Sequence, residues 1–166
     1  MLQNIVEESK VIGQGQYGCI HKPGLTCDPK SIDGMDIDYK NVISKTMETK
    51  YVDKELSEYK KISKIDKMGE FYLGKTPPFR CDIEKSIENI KSIKNCGNKD
   101  TIINGLINND VEMIIMDYGG ITLEDFALDL SHRLKTNKLS DIMLNFWIEA
   151  HRSMRGIKRF LENDII

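Results

Sequence analysis

Three glycines within six residues constrain the start of this chain more than any other feature. They are Gly13, Gly15 and Gly18, in the run Ile12-Gly13-Gln14-Gly15-Gln16-Tyr17-Gly18-Cys19-Ile20. A backbone without Cβ atoms can lie directly against a phosphate and turn its N–H groups toward the oxygens. Two architectures use the G-x-G-x-x-G spacing. In a dinucleotide-binding unit the loop opens a helix. Here Cys19-Ile20-His21-Lys22 reads as a strand and Pro23-Gly24 stops it, so no helix starts. The expectation is strand, glycine loop and strand over residues 9–22, with Tyr17 at the tip.

The rest of the chain alternates between legible and obscure. Residues 23–40 hold Pro23, Gly24, Pro29, Gly34 and several aspartates, which is loop chemistry. Asn41-Val42-Ile43-Ser44-Lys45 is a short β-type run. Over residues 52–66 the period changes: Val52, Leu56, Tyr59, Ile62 and Ile65 recur every three or four residues and predict an amphipathic helix. In residues 69–110, Pro77-Pro78 breaks any helix, and Asn95, Gly97, Asn98, Asn104, Gly105, Asn108 and Asn109 favour turns. Val111–Met116 predicts a buried strand ending in the turn Asp117-Tyr118-Gly119-Gly120. Thr122-Leu123-Glu124-Asp125 reads as a capping box opening a helix to about Lys135. A last helix starts at Ser140 or Asp141, with the stripe Met143, Phe146/Trp147, Ala150, Met154, Ile157 and Leu161.

Composition narrows the partners. The 166 residues carry 24 Lys+Arg and 26 Asp+Glu, a net charge of −2. That balance argues against an electrostatic grip on nucleic acid. No apolar run is long enough to span a bilayer, and the N-terminus lacks signal-peptide character, so the expectation is a cytoplasmic, intracellular protein without membrane contact. Cys19, Cys27, Cys81 and Cys96 form no C-x-x-C pair and lie at no zinc-finger spacing, so they are expected to be separate, reduced thiols.

Two further elements extend the glycine run. Val42-Ile43-Ser44-Lys45 puts an ammonium group at the end of a third strand. Glu58 or Glu55, on the helix that follows, offers a carboxylate to hold it; Glu58 is preferred because Ile62 and Ile65 then follow on the packed face. Met113-Ile114-Ile115-Met116-Asp117-Tyr118-Gly119-Gly120 runs from a buried strand into a connector. With these elements the chain resembles a serine/threonine protein kinase, and in detail the kinases of large DNA viruses. The resemblance implies an α+β fold: a kinase-like N-terminal lobe with a small antiparallel sheet and one packed helix over residues 1–119, then the start of a helical C-terminal lobe over 120–166. It implies ATP as ligand. Ile12 and Ile20 would cover the base, Gly13 to Cys19 (with Gln14, Gln16 and Tyr17) would form the loop, and Lys45 would hold the phosphates. Glu58 would orient Lys45, Met116 would be the gatekeeper, and Asp117 and Gly119 would offer backbone groups to adenine. Glu124 or Asp125 would approach the ribose or the peptide substrate. Ile43 departs from the family's usual small alanine above the adenine.

Three other motifs are decoys. Gly69-Glu70-Phe71-Tyr72-Leu73-Gly74-Lys75-Thr76 spells a P-loop, but a charged helix precedes it and Pro77-Pro78 follows. Asp117-Tyr118-Gly119 mimics D-F-G, yet too few residues separate Lys45 from a catalytic aspartate at Asp100, with Asn104 as metal ligand, for that reading. His151-Arg152-Ser153 imitates H-R-D without its acid. In the resemblance the catalytic loop would begin just past Ile165-Ile166, so the chain supplies no catalytic residue and no metal ligand of its own, and magnesium is expected only with the missing lobe. The expected function is the nucleotide-binding part of a Ser/Thr phosphotransferase, alone or joined by a protein that supplies or covers the other lobe. The alternative is a catalytically inactive interaction module that docks a partner through its last helix.

Overall fold

A computed structural model describes residues 8–68, 77–120, 125, 128 and 139–164, with 139–142 and 145 described by backbone only. The described residues fall into two compact units, the first drawn from residues 1–60 and 74–118, the second from 61–73 and 119–166. The fold is α+β, built on an antiparallel five-stranded sheet.

The strands are β1 (Lys10–Gly15), β2 (Gly18–Lys22), β3 (Val42–Glu48), β4 (Phe79–Cys81) and β5 (Val111–Asp117). Their order across the sheet is β1-β2-β3-β5-β4, with β5 inserted between β3 and the short edge strand β4. Described helices are α1 (Thr49–Ile65), α2 (Ile87–Ile93), α3 (Lys99–Asn108) and, in the second unit, α4 (Leu139–Leu161). The glycine run is tighter than a loop: Gly15 pairs with Gly18, which leaves only Gln16 and Tyr17 at the tip. A register shift between Val11 and Gly13 puts a bulge at Ile12.

The sheet presents two unlike faces, because strand side chains alternate sides. Val42, Ser44 and Thr46 of β3 share a face with Cys19 and His21 of β2 and with Met113 and Ile115 of β5. That face carries the main core, covered by α2, α3 and residues from the 23–40 segment such as Leu25 and Cys27. Ile43, Lys45 and Met47 share the opposite face with Ile20, Ile114 and Met116. There α1 is the helix among the described residues that packs, through Val52 and Leu56 against Met47 and Ile114 and through Asp53 to Arg80.

Two expectations are corrected here. Asn95, Gly97 and Asn98 do lie in a turn, but residues 87–93 and 99–108 on either side are helices, the second in spite of Asn104, Gly105 and Asn108. Gly105 is demanded by contact: a Cβ there would meet Val111 Cγ2 at 2.3 Å, so α3 lies directly on β5. Asn109 is the left-handed cap of α3, with φ 57°, and its N–H donates to the Gly105 carbonyl. Ser86 starts α2 by accepting from the Asn89 N–H. The cysteines are also not separate thiols. Cys19–Cys96 and Cys27–Cys81 are disulfides, with Cα separations of 6.1 and 5.8 Å. The partners lie 77 and 54 residues apart, far outside any local spacing pattern.

Asn89 joins the covering layer to the sheet. It is buried, accepts from the Thr26 N–H, and donates to the Thr26 and Glu84 carbonyls at 3.0 and 2.8 Å. Ser44 on β3 accepts from the Leu25 N–H at 2.9 Å. These bonds satisfy main-chain groups that the irregular 23–40 segment would otherwise bury without partners.

In the second unit, α4 shows the expected stripe, with Trp147, Met154, Ile157 and Leu161 exposed. Asp125 and Leu128 are helical; the rest of the expected helix from Thr122 to Lys135 lies outside the described residues, as does the P-loop decoy at 69–76. No helix among the described residues is long and apolar enough to cross a membrane.

Candidate functional site

The face under α1 brings together the glycine hairpin, the Lys45–Glu55 ion pair and, toward β4, Arg80 paired with Glu112 of β5 and Asp53 of α1. Lys45 sits on β3, and its Nζ donates to both carboxylate oxygens of Glu55 at 2.6 Å. The two side chains are 27% and 22% exposed, so the pair is neither sealed in the core nor free on the surface. Tyr59, one turn along α1, donates its hydroxyl to Glu55 Oε1 at 3.0 Å. A lysine ammonium has three donors, and Glu55 occupies two of them.

Glu55, not Glu58, is therefore the partner of Lys45. Helical phase decides the matter. Val52, Glu55, Leu56 and Tyr59 fall at i, i+3, i+4 and i+7 on the face of α1 that meets the sheet. Glu58 lies off the centre of that stripe. The position was legible in outline: Val52, Leu56 and Tyr59 are the apolar residues that bracket Glu55.

Ile20 pairs with Lys45 across β2 and β3, so the second arm of the hairpin lies beside the ammonium group. Met116 pairs with Ile43 on the same face, and its sulfur is 3.8 Å from the Tyr59 hydroxyl. Asp117 ends β5 opposite Val42. The next residue, Tyr118, lies under the Lys22 ammonium, 3.1 Å from the ring centroid. Gly119 belongs to the second unit. At the hairpin tip, Tyr17 packs on Tyr51 of α1, with ring centroids 4.5 Å apart. Nothing in the sequence pairs those two rings.

The three glycines are not equivalent. A Cβ on Gly18 would stand 1.8 Å from the Thr46 carbonyl oxygen, so the fold itself excludes any side chain there. Gly13 would meet only Ile20 at an ordinary 3.5 Å, and Gly15 would meet nothing within 4 Å. A side chain at 13 or 15 would therefore meet no steric bar among the described residues.

Two members of the expected loop turn away. Cys19 pairs with Thr46, so its side chain lies on the opposite face from Lys45, buried in the disulfide with Cys96. Gln14 pairs with Cys19, and its side-chain oxygen accepts from the Gly97 N–H at 3.0 Å. Neither side chain lines the Lys45 face; only their backbone belongs to the hairpin.

Behind the hairpin, on the covered face, lies His21. Burial drives its pKa down to about 4, only partly opposed by the nearby Ser44 backbone, and its Nδ1 is buried without a hydrogen-bond partner among the described residues. His151 of the H-R-S decoy is exposed on α4. Among the described residues, no group of three or more His, Cys, Asp or Glu is arranged to hold a metal ion. Compared with protein-family models, curated proteins and solved structures, the chain matches none.

Proposed function

We propose that the chain binds ATP through its glycine hairpin and Lys45, as the nucleotide-binding part of a protein-kinase-like fold. The observation that carries this reading is the Lys45–Glu55 pair at 2.6 Å, on the same sheet face as Ile20, Met116 and the backbone of the hairpin. An ammonium group steadied by one carboxylate keeps a donor for a phosphate oxygen, and it works as a point charge. The open space over Gly15 is where a phosphate would approach the backbone. Ile12, half exposed on the bulge of β1, and Ile20 supply apolar surface for a purine.

The chemistry assigned is binding and orientation. The Glu55 carboxylate holds the ammonium, and the hairpin N–H groups face the anion. Magnesium would screen the phosphate charge, but no residue here is assigned to hold it. The sequence contains no His-Arg-Asp triplet, so phosphoryl transfer to Ser/Thr is not assigned to these residues.

Titration with a fluorescent ATP analogue tests the reading. Lys45→Ala should weaken binding at least about tenfold, which is ~1.4 kcal/mol, while Lys75→Ala should leave it unchanged. Absence of binding by the unaltered chain, or loss on Lys75→Ala alone, overturns it. A second reading, a non-catalytic interaction module, is favoured by the exposed stripe on α4, where Trp147 is 60% and Met154 57% exposed. It predicts no nucleotide binding, together with association that Trp147→Glu abolishes.

A further inference from the structure

We propose that the corner between α2 and α3, residues 96–98, is a thiol-controlled anchor of the glycine hairpin. Three contacts converge there from segments distant in sequence. Cys96 is joined to Cys19, the residue that follows the last glycine of the run. The Gly97 N–H donates to Gln14 Oε1 at 3.0 Å. Asn98 Oδ1 lies 3.3 Å from Cys19 Sγ. Both arms of the hairpin are thus fastened to one short turn, β1 through Gln14 and β2 through Cys19. The other disulfide, Cys27–Cys81, ties the 23–40 segment to β4 and does not touch the hairpin.

The Cys19–Cys96 link is buried, so exchange requires the corner to open. Residues 94–98 are turn and bend rather than helix or strand, and local opening there would admit a thiol. A small thiol then attacks one sulfur as its thiolate. The S–S bond breaks, a mixed disulfide forms, and a second thiol displaces the cysteine sulfur. The balance is one protein disulfide plus two thiols, giving two cysteine thiols plus one small disulfide. Two electrons and two protons pass to the protein. His21 Nε2 lies 3.8 Å from Cys96 Sγ, beside the thiol that reduction releases. Reduction leaves the hairpin held to the corner by two hydrogen bonds alone, Gly97 N–H to Gln14 and the freed Cys19 thiol to Asn98 Oδ1. Re-oxidation by a small disulfide reverses every step.

The anchoring itself needs no nucleotide; its effect on ATP affinity rests on the function proposed above. The test is amide hydrogen exchange on the whole chain, oxidised and after reduction by dithiothreitol, with alkylation mapping of each cysteine. Peptides covering residues 13–20 should exchange at least about fivefold faster once Cys19 and Cys96 are alkylated. Cys96→Ser should reproduce the acceleration without reductant, and Cys81→Ser should not. If Cys96→Ser does not fold, the reduction series on the unaltered chain decides alone. Alkylation of both Cys19 and Cys96 under oxidising conditions overturns the anchor, as does unchanged hairpin exchange after reduction. Hairpin exchange that responds while the ATP analogue fails to bind in both states rejects the function and leaves the anchor standing.

Discussion

The two faces of the sheet divide the labour of this molecule. One face is closed by two helices, the 23–40 segment and two disulfides, and it buries His21, Ser44 and Thr46 with full cover. Among the described residues the other carries one helix over a small core, and it leaves the Lys45–Glu55 pair and the Arg80 cluster partly open to water. Dense burial on one side frees the other from the duty of holding the fold. Charges and glycines can then sit where stability alone would not put them.

Truncation within the covered face gives the largest expected effect. Met113→Ala removes a fully buried side chain and should cost about 2–5 kcal/mol in urea unfolding. Ile12→Ala, on the open side, should cost less than about 0.5 kcal/mol. Equal losses would break the contrast between the faces.

Acid gives the next effect. The imidazole of His21 takes up its proton near pH 6.5 when unfolded, but only near pH 4 when folded. The unfolded chain therefore binds more protons between those values, and stability falls as pH drops through that window. The loss should approach roughly 3 kcal/mol by pH 4 and be absent above pH 7. His21→Asn should flatten this part of the profile in pH-dependent unfolding.

The glycines sharpen the comparison within a single hairpin. Gly18→Ala drives a Cβ into the Thr46 carbonyl and should cost about 1–3 kcal/mol in thermal unfolding. Gly15→Ala should leave stability within about 0.5 kcal/mol, yet weaken the ATP analogue. The smallest effect separates the two carboxylates. Glu55→Gln should lower analogue affinity about fivefold, ~1 kcal/mol, whereas Glu58→Gln should not change it.

Much of this was legible in the sequence where one period dominates. Val111–Met116 has the composition of a buried strand, and the stripes of α1 and α4 follow the helical repeat. Of the two small helices, α2 is only seven residues long and α3 was hidden because Gly105 and Asn109 look like turn residues. Their roles, close packing on Val111 and a left-handed cap, exist only once β5 is beside α3. The same limit hid the cysteine pairing, whose partners meet only across the covered face. It also left Glu55 and Glu58 open: spacing fixes a stripe, and the exact phase needs the Tyr59 hydroxyl and the sheet beneath it.

The seat of Gly18 under the Thr46 carbonyl decides which part of the hairpin can yield. Its second arm is pinned between β1 and β3, with no room to slide. The first arm is the sheet's edge, kinked at Ile12, bare of side chain at Gly13 and Gly15, and tied to the 96–98 corner through Gln14; on the proposed function, adjustment to an anion falls there. The glycine run thus has one arm locked between neighbours and one arm at the rim of the sheet.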